Sequence, residues 1–331
     1  MDNQRPTPNG GAIPADPIID DDTDEAISIY AGSSVSLSDS IRQYREIHGR
    51  TYTRMTAYWG PNDEIQNELI DFNHCWITEF LGGRLFLAPI SEHPQKILDL
   101  GTGTGIWAID MADEFPSAEV IGTDLSPTQP EWTPPNCRFH MDDFELEWRW
   151  PDEHFDYNHG RNLEACFAHL PATMKEAFKH TKPGGYIEFL EFDSQTRSQS
   201  QELPEDHVFK RSYEHIMRAA RIMGKPGENV SSGAFQSALE QAGYVNITRL
   251  QWRIPIGGWC LDRKLKSLGW ANLDFLNNAL EGFGLYLFTE VLGFTYEKTQ
   301  ELFTEYKAAM GDPRLQPYYH MQVLFHPVTR R

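Results

Sequence analysis

Residues 97–110, ILDLGTGTGIWAID, hold three glycines, Gly101, Gly103 and Gly105, between two apolar runs, with Asp99 just ahead of them. The first run, KILDL (96–100), reads as a short buried strand, and GIWAIDMADEF (105–115) reads as a helix. The glycines therefore form a strand-to-helix turn, where the lack of Cβ atoms lets a ligand approach the backbone. A phosphate loop would place a Lys and a Ser or Thr after its glycines, and this turn has neither. The dinucleotide spacing G-x-G-x-x-G/A is met by GTGIWA (103–108), so spacing alone leaves a nicotinamide cofactor open.

Charge favours a different ligand. Asp99 would sit close to a dinucleotide pyrophosphate and repel it. S-adenosylmethionine has no pyrophosphate and carries an ammonium and a sulfonium, so carboxylates near the turn suit it. Asp124 ends the next strand, AEVIGTD (118–124), where a carboxylate can accept both ribose hydroxyls, as in dinucleotide folds. Asp142 and Asp143, after a third strand CRFHMDD (137–143), can each accept from an adenine amino group, and Phe144 can pack on the ring. Thr102 and Leu125 complete the residues expected around the cofactor.

Strands continue outward from the turn at FDYNHG (155–160) and GGYIEFLEFD (184–193), with a helix at PATMKEAFKHT (171–181) between them. Alternation of strand and helix predicts a mainly parallel sheet covered on both faces. Helices are expected near 204–223 and at 233–242, then a strand at 245–254, two or three helices within 263–310, and an edge strand at 318–326. Upstream, residues 62–81 read as a helix capped by Asn62, with Ile65, Leu69, Phe72, Trp76 and Phe80 on one apolar face.

The chain has 331 residues, 40% of them apolar, and a formal net charge of −19. So acidic a chain is unsuited to nucleic acid, which needs a basic face. No apolar run has the length of a membrane span. Residues 1–27, with DDDTDE at 20–25, read as a disordered acidic tail without the regions of a secretory signal. The four cysteines are far apart and lack zinc spacing, which fits a reducing compartment and no metal. A cytoplasmic location is expected, with the nucleus as the alternative; RR at 330–331 is too short for a nuclear signal.

Residues 96–193 resemble a class I S-adenosylmethionine-dependent methyltransferase core, and the chain from about residue 50 is similar to the fungal LaeA-like methyltransferases. The resemblance rests on YWGPNDEIQNELIDFNH (58–74), GGRLFLAPI (82–90), the joined run from ILDLGTGTGIWAID through IGTDLSPTQPEWTPPNCRF (97–139), and KPGGYIEFLEFD (182–193). It implies a Rossmann-like α/β fold with a seven-stranded sheet whose last strand is antiparallel. An N-terminal helical extension over 28–90 would precede a methyltransferase domain over 91–331, with a helical lid at about 257–310. It also implies S-adenosyl-L-methionine held at Asp99, Gly101, Gly103, Gly105, Asp124 and the Asp142–Asp143 pair. Tyr52 and Tyr58, in RTYTRMTAYWG (50–60), are expected to fold over the cofactor or simply to pack on the core.

His159, at the strand end on the ligand side, is the candidate general base, and its alternative role is packing. Arg161 and Asn162 follow it as candidates for the acceptor, although Arg161 could equally pair with surface carboxylates. Trp259, Trp270 and Tyr286, with Phe288, suit a flat apolar acceptor or the core. His74 and Cys75 lack partners at metal-ligand spacing. Three functions stay open: methylation of a small secondary metabolite at O, N or S; a LaeA-like regulator associated with velvet-type proteins; and a fold turned to other chemistry such as a cyclisation. The oligomeric state has no signature in the sequence.

Overall fold

In the computed structural model, residues 44–54 and 58–328 are described. The acidic tail and the terminal arginine pair lie outside them, as does the segment 28–43 of the expected extension. The described part begins with a hairpin, β1 (Arg45–Ile47) and β2 (Arg50–Tyr52), followed by α1 (Glu64–Phe80). The helix starts one residue later than its sequence suggests. Asp63, not Asn62, is the cap, accepting from Gln66 N while its carboxylate also holds Arg50 at 2.6 Å.

The central sheet begins with β3 (Lys96–Leu100), the glycine turn and α2 (Ile106–Glu114), then β4 (Glu119–Asp124) and β5 (Cys137–Met141). It continues through β6 (Phe155–Arg161), α3 (Leu170–His180) and β7 (Thr181–Phe192). A two-residue strand β8 (Arg197–Ser198), α4 (Val208–Ile222), α5 (Ala234–Ala242) and β9 (Thr248–Pro255) follow. Next come α6 (Arg263–Tyr286), a π-helical turn at Leu287–Val291, α7 (Tyr296–Met310) and β10 (Pro317–Pro327).

Strands run in the order β5-β4-β3-β6-β7-β10, with β9 beyond β10 and β8 paired to its start. β5 to β7 are mutually parallel, and β10 is antiparallel to both β7 and β9. The short β8 raises the expected seven strands to eight. The last strand is also not an edge: Met321, Val323 and Leu324 are buried between β7 and β9. Successive residues of a strand point to opposite faces. Leu98, Leu100 and Phe189 therefore meet α3 and α5 on one side, while Ile97, Val120 and Tyr157 meet α2 on the other; a register shift in β6 between Phe155 and Tyr157 turns Phe155 to the first side. Burial on both faces is why these strands read as continuous apolar runs.

The apolar stripe assigned to α1 is only partly the face it buries: Trp76 is buried and Phe80 packs on the core. Ile65 and Phe72 are exposed, while Gln66, Asn73 and His74 are turned inward with Trp76 and Ile77. A helix that buries polar side chains against the carboxyl ends of parallel strands borders a polar cleft, which is where open α/β sheets bind ligands. No helix among the described residues is long and apolar enough to cross a membrane.

Candidate active site

β3 delivers Asp99 to the sheet's carboxyl edge, and the chain reverses through Gly101 and Gly103 at φ +64° and +59°. At Gly101 a side chain would also collide, because a Cβ there would lie 2.5 Å from Leu163 Cδ2. Gly105, at φ +83°, caps α2. The turn is braced from outside: Thr128 Oγ1 and Gln129 Nε2 donate to Gly103 O, and Thr104 Oγ1 donates to Asp71 of α1. Asp124 accepts from Gly103 N at 2.8 Å and from Ser126 N at 2.9 Å. Burial pushes its carboxyl up to about 6, against the pull of those backbone donors.

Asp99 is not the free carboxylate that its place before the glycines suggests. It is 3% exposed, accepts from Thr102 Oγ1 at 2.6 Å, and lies 2.7 Å from His159 Nδ1. Asp99 and His159 are register partners on β3 and β6, so sheet pairing itself sets their approach. The imidazole stacks on the Trp107 indole with centroids 3.7 Å apart. Burial lowers the His159 pKa, with Asp99 opposing the shift, so the ring is neutral at pH 7. With Nδ1–H donated to Asp99, Nε2 carries the lone pair, and no hydrogen bond engages it among the described residues.

One cavity of about 330 Å³ runs from this turn into the interior. At the glycine end its wall includes Asp99, Gly101, Thr102, Gly103, Asp124, Leu125, Asp143, Phe144, Tyr58, His159, Arg161 and Asn162. The same wall also takes in Phe192, Phe275, Leu276, Leu280, Phe283, Leu287, Phe288, Phe303, Tyr306 and Tyr319. The cofactor residues expected from the sequence are thus mostly brought together. Asp143 reaches the wall and Asp142 does not; Asp142 instead accepts from Asp143 N in the loop. Gly105 serves the helix start, with the Phe139 ring behind it.

Four expected residues lie elsewhere. Tyr52 is wholly buried against Tyr286, ring centroids 5.3 Å apart, and the Tyr286 hydroxyl accepts from Arg45. Trp270 is 58% exposed, and Trp259 donates its indole N–H to Pro317 O. For Trp270 and Tyr286, both on α6, the reason is helical phase. Leu276, Leu280, Phe283 and Leu287 recur at steps of four, three and four and face the cavity. Tyr286 falls with Ala279 and Gly282 on the neighbouring buried face, and Trp270 on neither.

Several wall residues carry no sequence signal. Glu191, in the apolar strand β7, accepts from Leu163 N and Glu164 N, and burial pushes it up to about 8. Glu164 is pushed up to about 9 by burial and by the Glu191 charge. Among the described residues its Oε2, Ser212 Oγ and Gln66 Oε1 are buried in the wall without hydrogen-bond partners. Only the glutamates inside the run GYIEFLEFD hinted at this chemistry, since apolar strands rarely bury carboxylates without a task. Among the described residues no cluster of His, Cys, Asp or Glu is arranged to hold a metal.

The glycine end suits a cofactor that lacks phosphate. Its turn leaves no room for a side chain at Gly101, and the carboxylates of Asp124 and Asp143 and the Phe144 ring line the cavity beside it. Comparisons agree with that chemistry. Residues 73–249 match the family described as "Methyltransferase domain". The chain is 37% identical over 276 residues to the methyltransferase pytC of Aspergillus terreus, covering 82% of this chain and 84% of that protein. It is 34% identical over 242 residues to the secondary metabolism regulator LAE1 of Cochliobolus heterostrophus, covering 71% and 78%. The protein-methionine methyltransferase laeA of Emericella nidulans is 29% identical over 283 residues, covering 83% and 74%. The methyl donor of such proteins is S-adenosyl-L-methionine, and the chain belongs to the fungal LaeA-like class I methyltransferases.

Proposed function

We propose that the protein methylates a small, mainly apolar acceptor of secondary metabolism, using S-adenosyl-L-methionine. The observation that carries this reading is the shared cavity: the space lined by Gly101 and Gly103 is also walled by Phe275, Phe283, Phe288, Phe303 and Tyr306. Apolar lining with a few placed polar groups suits a small molecule. Here those groups are Glu164, Ser212 and the Thr196–Tyr306 hydroxyl pair.

The cofactor supplies an electrophilic methyl group, and the chain's own residues orient the acceptor and exclude water. Gly101, Gly103, Asp124, Asp143 and Phe144 hold the donor. His159 takes at Nε2 the proton that a hydroxyl, amine or thiol gives up. Asp99 fixes the tautomer and supports the imidazolium that forms, the role a buried carboxylate plays beside a catalytic histidine. The α6–α7 segment roofs the chamber, as lids do.

Filling the chamber tests this. Leu280→Trp should abolish label transfer from methyl-tritiated donor into organic-extractable material while S-adenosylhomocysteine still binds. Undiminished transfer by the filled variant would refute the acceptor site.

A second reading has its own support. Two of the relatives named above are called a regulator and a protein-methionine methyltransferase. On that reading the acceptor is a protein side chain, velvet-type proteins are the partners, and the protein works in the nucleus instead of the cytoplasm. The apolar, aromatic lining of the cavity favours the small acceptor.

A further inference from the structure

Arg161 ends β6 and lines the cavity at its glycine end. Its hydrogen-bonding is incomplete. Among the described residues the one bond it makes runs from Nη2 to His74 Nδ1, at 3.1 Å, and no carboxylate lies within ion-pair distance. An arginine cannot accept, so His74 accepts at Nδ1 and carries its proton on Nε2, which reaches Asp110 Oδ2 at 2.8 Å. The histidine is thus neutral, and it relays a surface carboxylate to a guanidinium without quenching its charge. Burial lowers the Arg161 pKa to about 10, and at neutral pH it stays a cation. A guanidinium has five N–H donors in a planar fork that matches a carboxylate. Most of that fork is unspent.

Position says which anion it meets. Leu100 pairs with Gly160, so Arg161 stands level with Gly101, the first glycine of the turn. α1 closes the same corner: Ile70 lies 3.7 Å from where a Cβ on Gly103 would be, and Asn73 accepts from Asn162 at 2.8 Å. The phenylalanines of the wall, Phe275, Phe283, Phe288 and Phe303, come from α6, the π-helical turn and α7, not from the glycine turn. We infer that Arg161, steered by the His74–Asp110 pair, binds the α-carboxylate of the cofactor's methionyl end. Sequence position had put Arg161 on the acceptor; its surroundings put it on the donor. The inference rests on the S-adenosylmethionine reading and on nothing about the acceptor.

Two ligands separate the possibilities. S-adenosylhomocysteine keeps the same α-carboxylate on its homocysteinyl end, and 5′-methylthioadenosine has the same nucleoside and sulfur without the amino-acid end. In calorimetric titration, Arg161→Gln should weaken S-adenosylhomocysteine by about ten- to a hundredfold, the loss of charge-assisted bonds, and leave 5′-methylthioadenosine within about twofold. Retained binding of the nucleoside certifies that the variant folds. His74→Gln should weaken S-adenosylhomocysteine less, again with the nucleoside unaffected. Equal weakening of both ligands by Arg161→Gln would make Arg161 a structural residue and overturn the inference. Unchanged S-adenosylhomocysteine affinity would overturn it as well and return Arg161 to the acceptor. If the unmodified protein bound neither ligand, the cofactor reading itself would fail, and this inference with it.

Discussion

Asp99 and His159 stand opposite one another on adjacent parallel strands, carboxylate oxygen and imidazole Nδ1 2.7 Å apart, with the imidazole flat against Trp107. The pairing fixes one tautomer of a buried histidine and leaves its second nitrogen in the cavity wall. His159→Gln should therefore lower kcat by about a hundredfold or more, the usual share of a general base, with S-adenosylhomocysteine affinity unchanged. Asp99→Asn should also lower kcat, because an amide can hold the wrong tautomer. Activity should rise with pH through a histidine pKa below its ordinary value and then level off, since the neutral ring is the base and burial lowers its pKa. An unchanged pH profile in His159→Gln would leave catalysis to proximity alone.

Gly101 and Gly103 share a left-handed backbone but differ in what surrounds them. Alanine at either position costs about 1–2 kcal/mol in backbone strain. At Gly101 the new methyl would also meet Leu163 at 2.5 Å, whereas at Gly103 the nearest atoms are in ordinary contact at 3.7 Å. Gly101→Ala should thus lower the melting temperature and the S-adenosylhomocysteine affinity more than Gly103→Ala. The reverse order would show that Leu163 gives way freely.

Asp143 lines the cavity and Asp142 does not. Asp143→Ala should weaken S-adenosylhomocysteine by about 1.5–3 kcal/mol, the range for a hydrogen bond to a charged group. Asp142→Ala should stay near the unmodified affinity. Isothermal titration of the two variants side by side decides between them.

The buried carboxyls set the direction in which stability changes with pH. Glu164, Glu191 and Glu188 are raised to about 9, 8 and 7, each mainly by burial. A raised acid keeps its proton in the folded state after the unfolded chain has lost it. Its contribution is full below the ordinary glutamate range and is lost as pH climbs through the folded value. The melting temperature should fall from about pH 5 toward pH 9, and Glu164→Gln should flatten the upper part of that slope. A melting temperature that climbs with pH would mean these carboxyls are ionised in the folded protein.

What the sequence made legible was local. The turn at 101–105, the strands feeding it and Asp124 declare themselves through glycine spacing and short apolar runs, and all lie where their pattern puts them. Residues whose role depends on a distant partner do not. His74 reads as one polar residue in a helix until the fold brings Arg161 beside it, 87 residues away in the chain. Trp270 and Tyr286 carry the right chemistry for an aromatic chamber, but a turn of about 100° per residue decides which side of α6 faces inward, and Trp259, ahead of that helix, is held at Pro317 O. The long helix α6 gives that task to Phe275, Leu280 and Phe283. The face of α1 misled for the opposite reason: its polar side serves a cleft, and Ile65 and Phe72 are left in solvent.

The most direct measurement is the fate of a methyl group. The protein is incubated with methyl-tritiated S-adenosylmethionine and a whole extract of the organism that carries its gene, and the label is then separated into organic-soluble small molecules and protein. The expected result is label in a low-molecular-weight apolar product, lost with His159→Gln and with Leu280→Trp. Label found only in protein, with no small methylated product, would contradict a small-molecule acceptor and favour the regulatory reading.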